Sequence, residues 1–182
     1  MKSGTTRNLV LSALFAALIA AGAFMRIPLG DIPFTMQTFF VTLAGLLLGK
    51  KYGALAVVIY ILIGLSGVPV FAAGGGIYYV FRPSFGYIIG FAVGAIVTGL
   101  IAEKNNSLPR LTVAAFSGIL VIYAIGLIYY YLIATLYLKN NIAVKSLIIS
   151  GFLLTVGPDI VLTAFAALLA RRLRSLPNLF IE

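Results

Sequence analysis

The chain has 182 residues, of which 62% are hydrophobic and 9% are charged, and its formal net charge is +9. A soluble domain carries about 25% charged residues, so this composition indicates an integral membrane protein. The sequence contains no cysteine and no histidine, which excludes disulfides, thiolate metal sites, histidine acid–base catalysis and Ser-His triads. The basic residues stand singly or in pairs at the ends of apolar runs, which favours membrane orientation over nucleic-acid binding.

Six apolar runs are candidates for membrane spans, which need roughly 20 mostly apolar residues. In chain order they are Leu9 to Met25, Phe34 to Gly49, Tyr52 to Ser66, Phe85 to Ala102, Leu111 to Leu138, and Ser146 to Ala170. The second is short, and the last is interrupted by Gly157-Pro158-Asp159. We therefore predict an all-α membrane protein with six transmembrane helices that form a single substrate-binding domain over residues 1–182.

The first run carries Ala13, Ala17 and Ala21 at four-residue spacing. Small residues at this spacing form a flat stripe that lets another helix approach closely. The stripe either packs inside this chain or receives a partner protein, since a first helix often lies at the edge of a bundle. The basic start and Ala21-Gly22-Ala23 also resemble a cleavable signal peptide. The run continues through Met25, however, and its length favours a permanent span.

The second run opens with polar residues that a helix facing only lipid does not need. Residues 31–40 read DIPFTMQTFF and place Thr35, Gln37 and Thr38 at the helix entrance. Each buried polar group requires a hydrogen-bonding partner. The two threonines can cap the start of the helix. Gln37 is a candidate ligand contact.

The segment between the third and fourth runs combines three glycines with aromatic residues and an arginine. Gly74, Gly75 and Gly76 can adopt backbone angles closed to other residues and let a ligand approach the main chain. A triple glycine alone usually marks a flexible loop. Together with its neighbours it predicts a lid over an amphipathic molecule, and we add three further candidate ligand contacts: Phe71, Arg82 and Tyr87.

Glycines also recur at four-residue spacing inside two runs. The fourth run has Gly86, Gly90 and Gly94, and the second has Gly45 and Gly49. We interpret these glycines as sites where helices of this chain pack closely against each other.

The last run contains an acidic residue, Asp159, which is costly in a membrane and is therefore a functional-site hypothesis. Gly157 and Pro158 predict that the final helix begins here, with Pro158 in its first turn and residues 146–156 forming a separate apolar segment. Asp159 then lies near a helix N-terminus, where the macrodipole favours a carboxylate. The alternative is a kinked continuous helix in which Asp159 only caps backbone amides.

The distribution of Lys and Arg predicts the orientation. With six spans both termini lie on one side, which then carries nine basic residues, at 2, 7, 50, 51, 104, 110, 171, 172 and 174. The other side carries four, at 26, 82, 139 and 145. Cytoplasmic loops hold the excess of Lys and Arg, so we expect cytoplasmic termini. Gln37, the glycine loop, Arg82 and Asp159 then converge on an outward-facing ligand pocket.

Several function classes find no support in the sequence. Residues 45–51 read GLLLGKK, which lacks the spacing and the Ser or Thr of a P-loop. The two halves do not read as repeats, the usual basis of alternating access. The four acids (Asp31, Glu103, Asp159 and Glu182) are too scattered for a paired-carboxylate site, no metal site or cofactor is expected, and no nucleophile and base suggest an enzyme. We expect a chain that captures a solute and requires partners to pump it.

Three sequence segments resemble those of a known family. They are IPFTMQTFFVTLAGLLLGKKYGALAVVIYILIGLSGVPVFA over residues 32–72, RPSFGYIIGF over residues 82–91, and GPD at residues 157–159. The chain resembles the BioY family, the biotin-specific substrate-binding (S) components of energy-coupling factor transporters. The resemblance covers nearly the whole chain. It departs in one place, because the family usually reads P-G-D-x-x-K and this chain has Leu162 at the lysine position.

The resemblance implies a six-helix S component in a prokaryotic cell membrane that binds biotin from outside. Its implied partners are a transmembrane coupling protein and two cytoplasmic ATPases, with no nucleic acid. It also implies that Ala13, Ala17 and Ala21 form the docking surface for the coupling protein and that Asp159 is the family's ligand-binding acid. With Leu162 in place of lysine, either Arg82 alone meets the biotin carboxylate or the ligand preference differs slightly. The alternatives are an S component for another small vitamin and a membrane-embedded lipid-modifying enzyme.

Overall fold

The computed structural model describes residues 3–28, 32–139 and 147–176. Its helices are α1 (Ser3–Phe24), α2 (Gln37–Leu65), α3 (Phe85–Ala102), α4 (Leu108–Leu132) and α5 (Leu154–Arg174). Strands β1 (Arg26–Ile27) and β2 (Phe34–Thr35) pair antiparallel between α1 and α2. A 3-10 turn over Ile77–Phe81 precedes α3, and π-helical turns follow α4 over Ile133–Tyr137 and precede α5 over Ile149–Leu153.

Five helical segments of the described residues are long and apolar enough to cross a membrane. Six runs were predicted, and α2 spans both the second and the third of them. Residues 34 and 35 were predicted to begin the second helix, but they form β2 and pair with Ile27 and Arg26. Five residues used in the sequence predictions lie outside the described residues: Lys2, Asp31, Lys145, Ser146 and Glu182.

Helix α2 is a hairpin of two arms that meet at Gly49. Gly49 has φ 72° and ψ −177°, a non-helical conformation that favours glycine. Beyond it the chain folds back, since a Cβ added to Gly53 would lie 3.0 Å from the Cα of Gly45. The Gln37 and Tyr60 side chains, 23 residues apart in sequence, are hydrogen-bonded at 2.6 Å. Lys50 and Lys51 were predicted to lie between two helices, but both are helical.

Glu103, at the end of α3, secures this reversal. Its Oε1 accepts a hydrogen bond from the Lys50 backbone N–H at 3.1 Å, and its Oε2 pairs with the Lys50 Nζ at 3.2 Å. The first N–H groups of a helix have no partner within the helix, so a carboxylate there satisfies a donor and complements the helix dipole. We call this part of the bundle the Glu103 end.

The C-terminus of α3 is held by two arginines at the same end. The Arg110 Nε donates to the Ile101 carbonyl at 2.7 Å, and the Arg174 Nη1 donates to the Ala102 carbonyl at 3.0 Å. The last carbonyls of a helix carry partial negative charge, which cations stabilise. These contacts join α3 to α4 and α5.

The glycine stripes pack helices of this chain together, as predicted. A Cβ on Gly90 would lie 2.9 Å from the Ile122 carbonyl oxygen in α4, and a Cβ on Gly94 would lie 3.0 Å from the Gly118 carbonyl oxygen. A Cβ on Gly45 would lie 2.9 Å from the Ala95 carbonyl oxygen in α3. Because packing rather than the hydrophobic effect joins helices in lipid, these close approaches hold α2, α3 and α4 together.

The bundle has two cores of different composition. The core at the Glu103 end is made mostly of alanine and leucine, including Ala102, Ala114 and Ala170. The other core contains the larger aromatic side chains, including Tyr60, Phe71 and Tyr123. Small residues permit close helix packing at one end, and bulky side chains surround a cavity at the other, which we call the cavity end.

The predicted start of the last helix at Gly157 is wrong. Helical residues run without a break from 147 to 174, and Pro158 lies inside α5. Proline removes one backbone N–H and crowds the carbonyl four residues earlier, here that of Leu154. The π turn ends at Leu153, so the altered hydrogen-bond pattern lies next to the carbonyl that Pro158 disturbs.

We predict that Gly99→Ala destabilises the bundle. The added Cβ would lie 2.1 Å from the Lys50 backbone nitrogen, so the α2 reversal must shift. Overpacking of this kind costs about 1–3 kcal/mol. Thermal unfolding in detergent measures the change, with Gly157→Ala as the control because its Cβ would meet nothing within 4 Å. Equal melting temperatures for the two variants would contradict this account of the packing.

Candidate ligand-binding site

A cavity lies at the cavity end, between the β1–β2 hairpin, the first arm of α2, and α3, α4 and α5. It holds about 520 Å³, counting the space at its opening. Pockets for small molecules combine apolar walls with a few polar groups that orient the ligand. The apolar lining residues are Ile32, Pro33, Phe34, Ala72, Ile88, Phe91 and Ile122. The polar lining residues are Thr35, Gln37, Thr38, Tyr79, Ser84, Tyr87, Tyr123, Thr155 and Asp159.

Asp159 is the acidic residue of this lining and is only 5% exposed. Its Oδ2 accepts a hydrogen bond from the Tyr123 hydroxyl at 2.6 Å. Its Oδ1 is buried and has no hydrogen-bond partner among the described residues. A buried acceptor without a partner is costly, so Oδ1 is suited to receive an N–H or O–H donor from a ligand.

Tyr123 and Thr155 form a chain of hydroxyls that ends at this carboxylate. The Tyr123 hydroxyl lies 2.6 Å from Asp159 Oδ2 and 2.9 Å from Thr155 Oγ1. A tyrosine has one hydroxyl hydrogen and an ionised carboxylate only accepts, so that hydrogen goes to Asp159. Thr155 then donates to Tyr123. These two hydroxyl hydrogen bonds fix the position of the carboxylate and leave its Oδ1 for other partners.

Gln37 lines the cavity as expected and also braces α2. Its Nε2 donates to the Tyr60 hydroxyl at 2.6 Å, and Tyr60 donates to the Val70 carbonyl at 3.4 Å. Its Oε1 accepts from the Thr35 hydroxyl at 3.2 Å. The amide has a second N–H, and these bonds leave it for a ligand. Gln37 thus joins both arms of α2 at the wall of the cavity.

The β1–β2 hairpin covers one side of the cavity through Ile32, Pro33 and Phe34. The Arg26 guanidinium on β1 donates to the carbonyl of Ala72, another lining residue. Sequence reasoning assigned this cover to the segment that contains the glycine loop, which contributes Ala72, Tyr79 and Ser84 to the lining; the hairpin supplies a further part of it.

Tyr87, a predicted ligand contact, lines the cavity, and its hydroxyl donates to the Gly151 carbonyl at 2.6 Å. Gly151 belongs to the π turn before α5, where the backbone follows the i→i+5 hydrogen-bond pattern in place of the usual i→i+4 pattern. Tyr87 thereby joins α3 to the segment that leads into Thr155 and Asp159.

Other predicted contacts do not line the cavity. Phe71 is 1% exposed, and its ring fills the space beside Gly64, where a Cβ would lie 2.1 Å from its Cζ. Gly74 pairs with Phe71, and the Gly76 N–H donates to the Gly64 carbonyl at 2.7 Å. A Cβ on Gly75 would lie 2.2 Å from the Val68 carbonyl oxygen. These glycines close a compact loop behind the cavity wall.

Arg82 is exposed, and its guanidinium lies 5.4 Å from the centroid of the Tyr79 ring. Tyr79 lines the cavity, so its side chain lies between Arg82 and the cavity. Leu162, at the position where the family usually has lysine, packs against the alanine–leucine core and does not line the cavity.

The alanine stripe faces away from the bundle. Ala13, Ala17 and Ala21 are exposed, whereas Phe15 and Ile19 of the same helix are buried. The stripe therefore does not pack against another helix of the described chain.

Sequence reasoning missed Tyr123 and Thr155. Thr155 lies four residues before Asp159 and so on the same helix face, a spacing that could have identified it. Tyr123 lies in the middle of a long apolar helix, where a tyrosine hydroxyl requires a partner. The need for a partner indicated that Tyr123 contacts a buried polar group, but the sequence alone did not identify that group.

Comparison with known proteins decides the family. The model of the BioY family matches residues 1–178. The chain belongs to the BioY family. The prediction made from its sequence motifs is confirmed, and a multi-pass membrane protein follows from the family together with the apolar helices.

Two relatives and one solved structure show the extent of the similarity. The chain is 43% identical to the probable biotin transporter BioY of Lysinibacillus sphaericus, over 95% of this chain and 89% of that protein. It is 42% identical to the biotin transporter BioY of Thermotoga maritima, over 93% and 97%. The crystal structure of the S-component for biotin from an ECF-type ABC transporter matches with a TM-score of 0.74 and 27% identity, over 97% and 95%.

We predict that Tyr123→Phe lowers the stability of this BioY-family protein. The variant keeps the ring but leaves the buried Asp159 Oδ2 without its donor. Hydrogen bonds to charged groups contribute about 1.5–3 kcal/mol. Thermal unfolding in detergent measures the loss, and Tyr131→Phe is the control because Tyr131 is 47% exposed. An unchanged melting temperature for Tyr123→Phe would contradict the assigned bond.

Proposed function

We propose that this chain captures biotin with high affinity, as the membrane-embedded S component of an ECF-type transporter. The observation that carries the proposal is the cavity around the free Oδ1 of Asp159, in a chain of the BioY family. The names of the relatives and of the matching crystal structure support the same ligand. Because the family and its relatives are transport proteins, the rival of a lipid-modifying enzyme is set aside.

The chemistry of biotin suits the two ends of this site. Biotin offers two ureido N–H donors at one end and a carboxylate at the other. Asp159 Oδ1 accepts a ureido N–H through a charge-assisted hydrogen bond, which is stronger than a neutral one. Gln37 has one free amide N–H for the ureido oxygen. Ile88, Phe91 and Ile122 provide apolar surface between the ends.

Arg82 is the proposed partner of the biotin carboxylate. A guanidinium matches a carboxylate with two parallel hydrogen bonds. Arg82 rests on Tyr79 at the edge of the cavity, and its exposure leaves it free to turn toward a ligand. Phe71, Gly74, Gly75 and Gly76 support this edge from behind, as the loop that holds Tyr79 in place.

We predict that two substitutions differ in their effects on biotin and on its uncharged amide. Asp159→Asn removes the charge and replaces an acceptor with a donor, so it should weaken both ligands. Arg82→Ala should weaken biotin and hardly affect the amide. The loss of one charged hydrogen bond corresponds to about a tenfold to hundredfold rise in Kd.

Calorimetric titration of both ligands into both variants measures these effects, with Arg171→Ala as the control because Arg171 is exposed near the end of α5 and does not line the cavity. Equal losses for biotin and its amide in Arg82→Ala would remove Arg82 from the site. Tighter binding of a different vitamin by the unmodified protein would favour the second candidate function, an S component for another small vitamin.

The transmembrane arrangement that fits this function has six spans, with the two arms of α2 counted separately. Both termini would lie in the cytoplasm of a prokaryotic cell and the cavity would open outward, which the nine-to-four distribution of basic residues supports. Single cysteines at positions 2, 180 and 66 test the arrangement in a chain without native cysteine. An impermeant thiol reagent applied from outside should label only position 66, and labelling at 2 or 180 would contradict it.

The partners that fit an S component are a transmembrane coupling protein and two cytoplasmic ATPases. The exposed alanine stripe is the proposed docking surface, because small residues let a partner helix approach closely. We predict that Ala17→Trp blocks assembly and leaves biotin binding intact, since Ala17 does not line the cavity. Co-purification with the coupling protein and biotin titration measure the two effects. Normal assembly of the variant would refute the docking surface.

A further inference from the structure

Two buried oxygen atoms without partners lie one helical turn apart on α5. They are Asp159 Oδ1 and Thr163 Oγ1, and neither has a hydrogen-bond partner among the described residues. Asp159 is 5% exposed and Thr163 is fully buried. Residues four apart share a face of a helix, with their Cβ atoms about 6 Å apart. A small species between the two side chains would satisfy both oxygens.

The facing helix supplies further hydroxyls. The first arm of α2 packs against α5, where the Phe39 and Phe165 rings are stacked at 5.8 Å. Thr38 and Thr42 are also four residues apart and are both buried, and the Thr38 hydroxyl lies beside the Asp159 carboxylate. Two columns of oxygen-bearing side chains therefore run along this interface, and both extend beyond the cavity toward the Glu103 end.

The charge of this region is unbalanced. Asp159 carries the acidic group, and the described residues that line the cavity include no lysine and no arginine. The other ionisable side chains of the lining are Tyr79, Tyr87 and Tyr123. A carboxylate at membrane depth normally pairs with a cation. A water molecule would satisfy the free oxygens but would not balance the charge.

We propose that Asp159 and Thr163 form a site for a monovalent metal cation such as Na⁺, beneath the ligand. Hard cations prefer carboxylate and hydroxyl oxygens, which this site offers without nitrogen or sulfur. Asp159 is the one carboxylate among the described lining residues, so a single monovalent ion balances the charge of the site. The ion would provide the countercharge that the side chains around Asp159 lack. It would share the carboxylate with the proposed ligand, because each carboxylate oxygen has two lone pairs.

The test uses the full chain in detergent without biotin, so it does not depend on the proposed function. A cation that binds only the folded protein raises its melting temperature. We expect the protein to melt about 2–6 °C higher in 100 mM NaCl than in choline chloride of equal ionic strength. Equal melting temperatures in the two salts would overturn the proposal.

Variants locate the site. Asp159→Asn and Thr163→Val should each abolish the sodium response, since one removes the charge and the other replaces the hydroxyl with a methyl group of similar size. Thr98→Val is the matched control, because Thr98 is 1% exposed on α3 and packs against Gly118. It should keep the full response. A full response in Thr163→Val, or its loss in Thr98→Val, would refute the assignment. Biotin titration in choline chloride separately reports whether the proposed function holds.

Discussion

A carboxylate buried inside a membrane helix is the constraint on which the rest of this structure depends. Asp159 is stable at this depth only if hydrogen-bond donors surround it. Tyr123 supplies one donor from α4, and Thr155 directs the tyrosine hydrogen toward the acid. Tyr87 holds the turn that leads into the same helix. The acceptor that remains without a donor, Asp159 Oδ1, defines what the cavity can bind.

The opposite end of the bundle provides the rigidity that such a site requires. Glycine and alanine let α2, α3 and α4 approach closely, and Glu103 holds the reversal of α2 at Gly49. The second arm of α2 thereby returns Tyr60 to Gln37, beside the cavity. A binding site needs its contact residues fixed by the packing around them. Here tight packing at one end permits an open cavity at the other.

Sequence reasoning located the helices, the internal packing of the glycine stripes, and three lining residues: Asp159, Gln37 and Tyr87. The three lining residues could be identified because a polar side chain in an apolar run needs a hydrogen-bonding partner within the protein. Phe71 was predicted as a ligand contact because it is an aromatic residue in a loop, and the structure places its ring in the space beside Gly64 instead of in the cavity lining. The β1–β2 hairpin gave no signal, since strands of two residues show no periodicity.

Protection of a cysteine in the cavity by biotin tests the central claim most directly. Ser84 lines the cavity, and the chain has no native cysteine, so Ser84→Cys gives a single reactive thiol there. Ser66→Cys is the control, because Ser66 is exposed and outside the lining. Biotin should slow the labelling of position 84 by a maleimide and leave position 66 unchanged. Equal labelling rates at position 84 with and without biotin would contradict the assignment of this cavity as the ligand site.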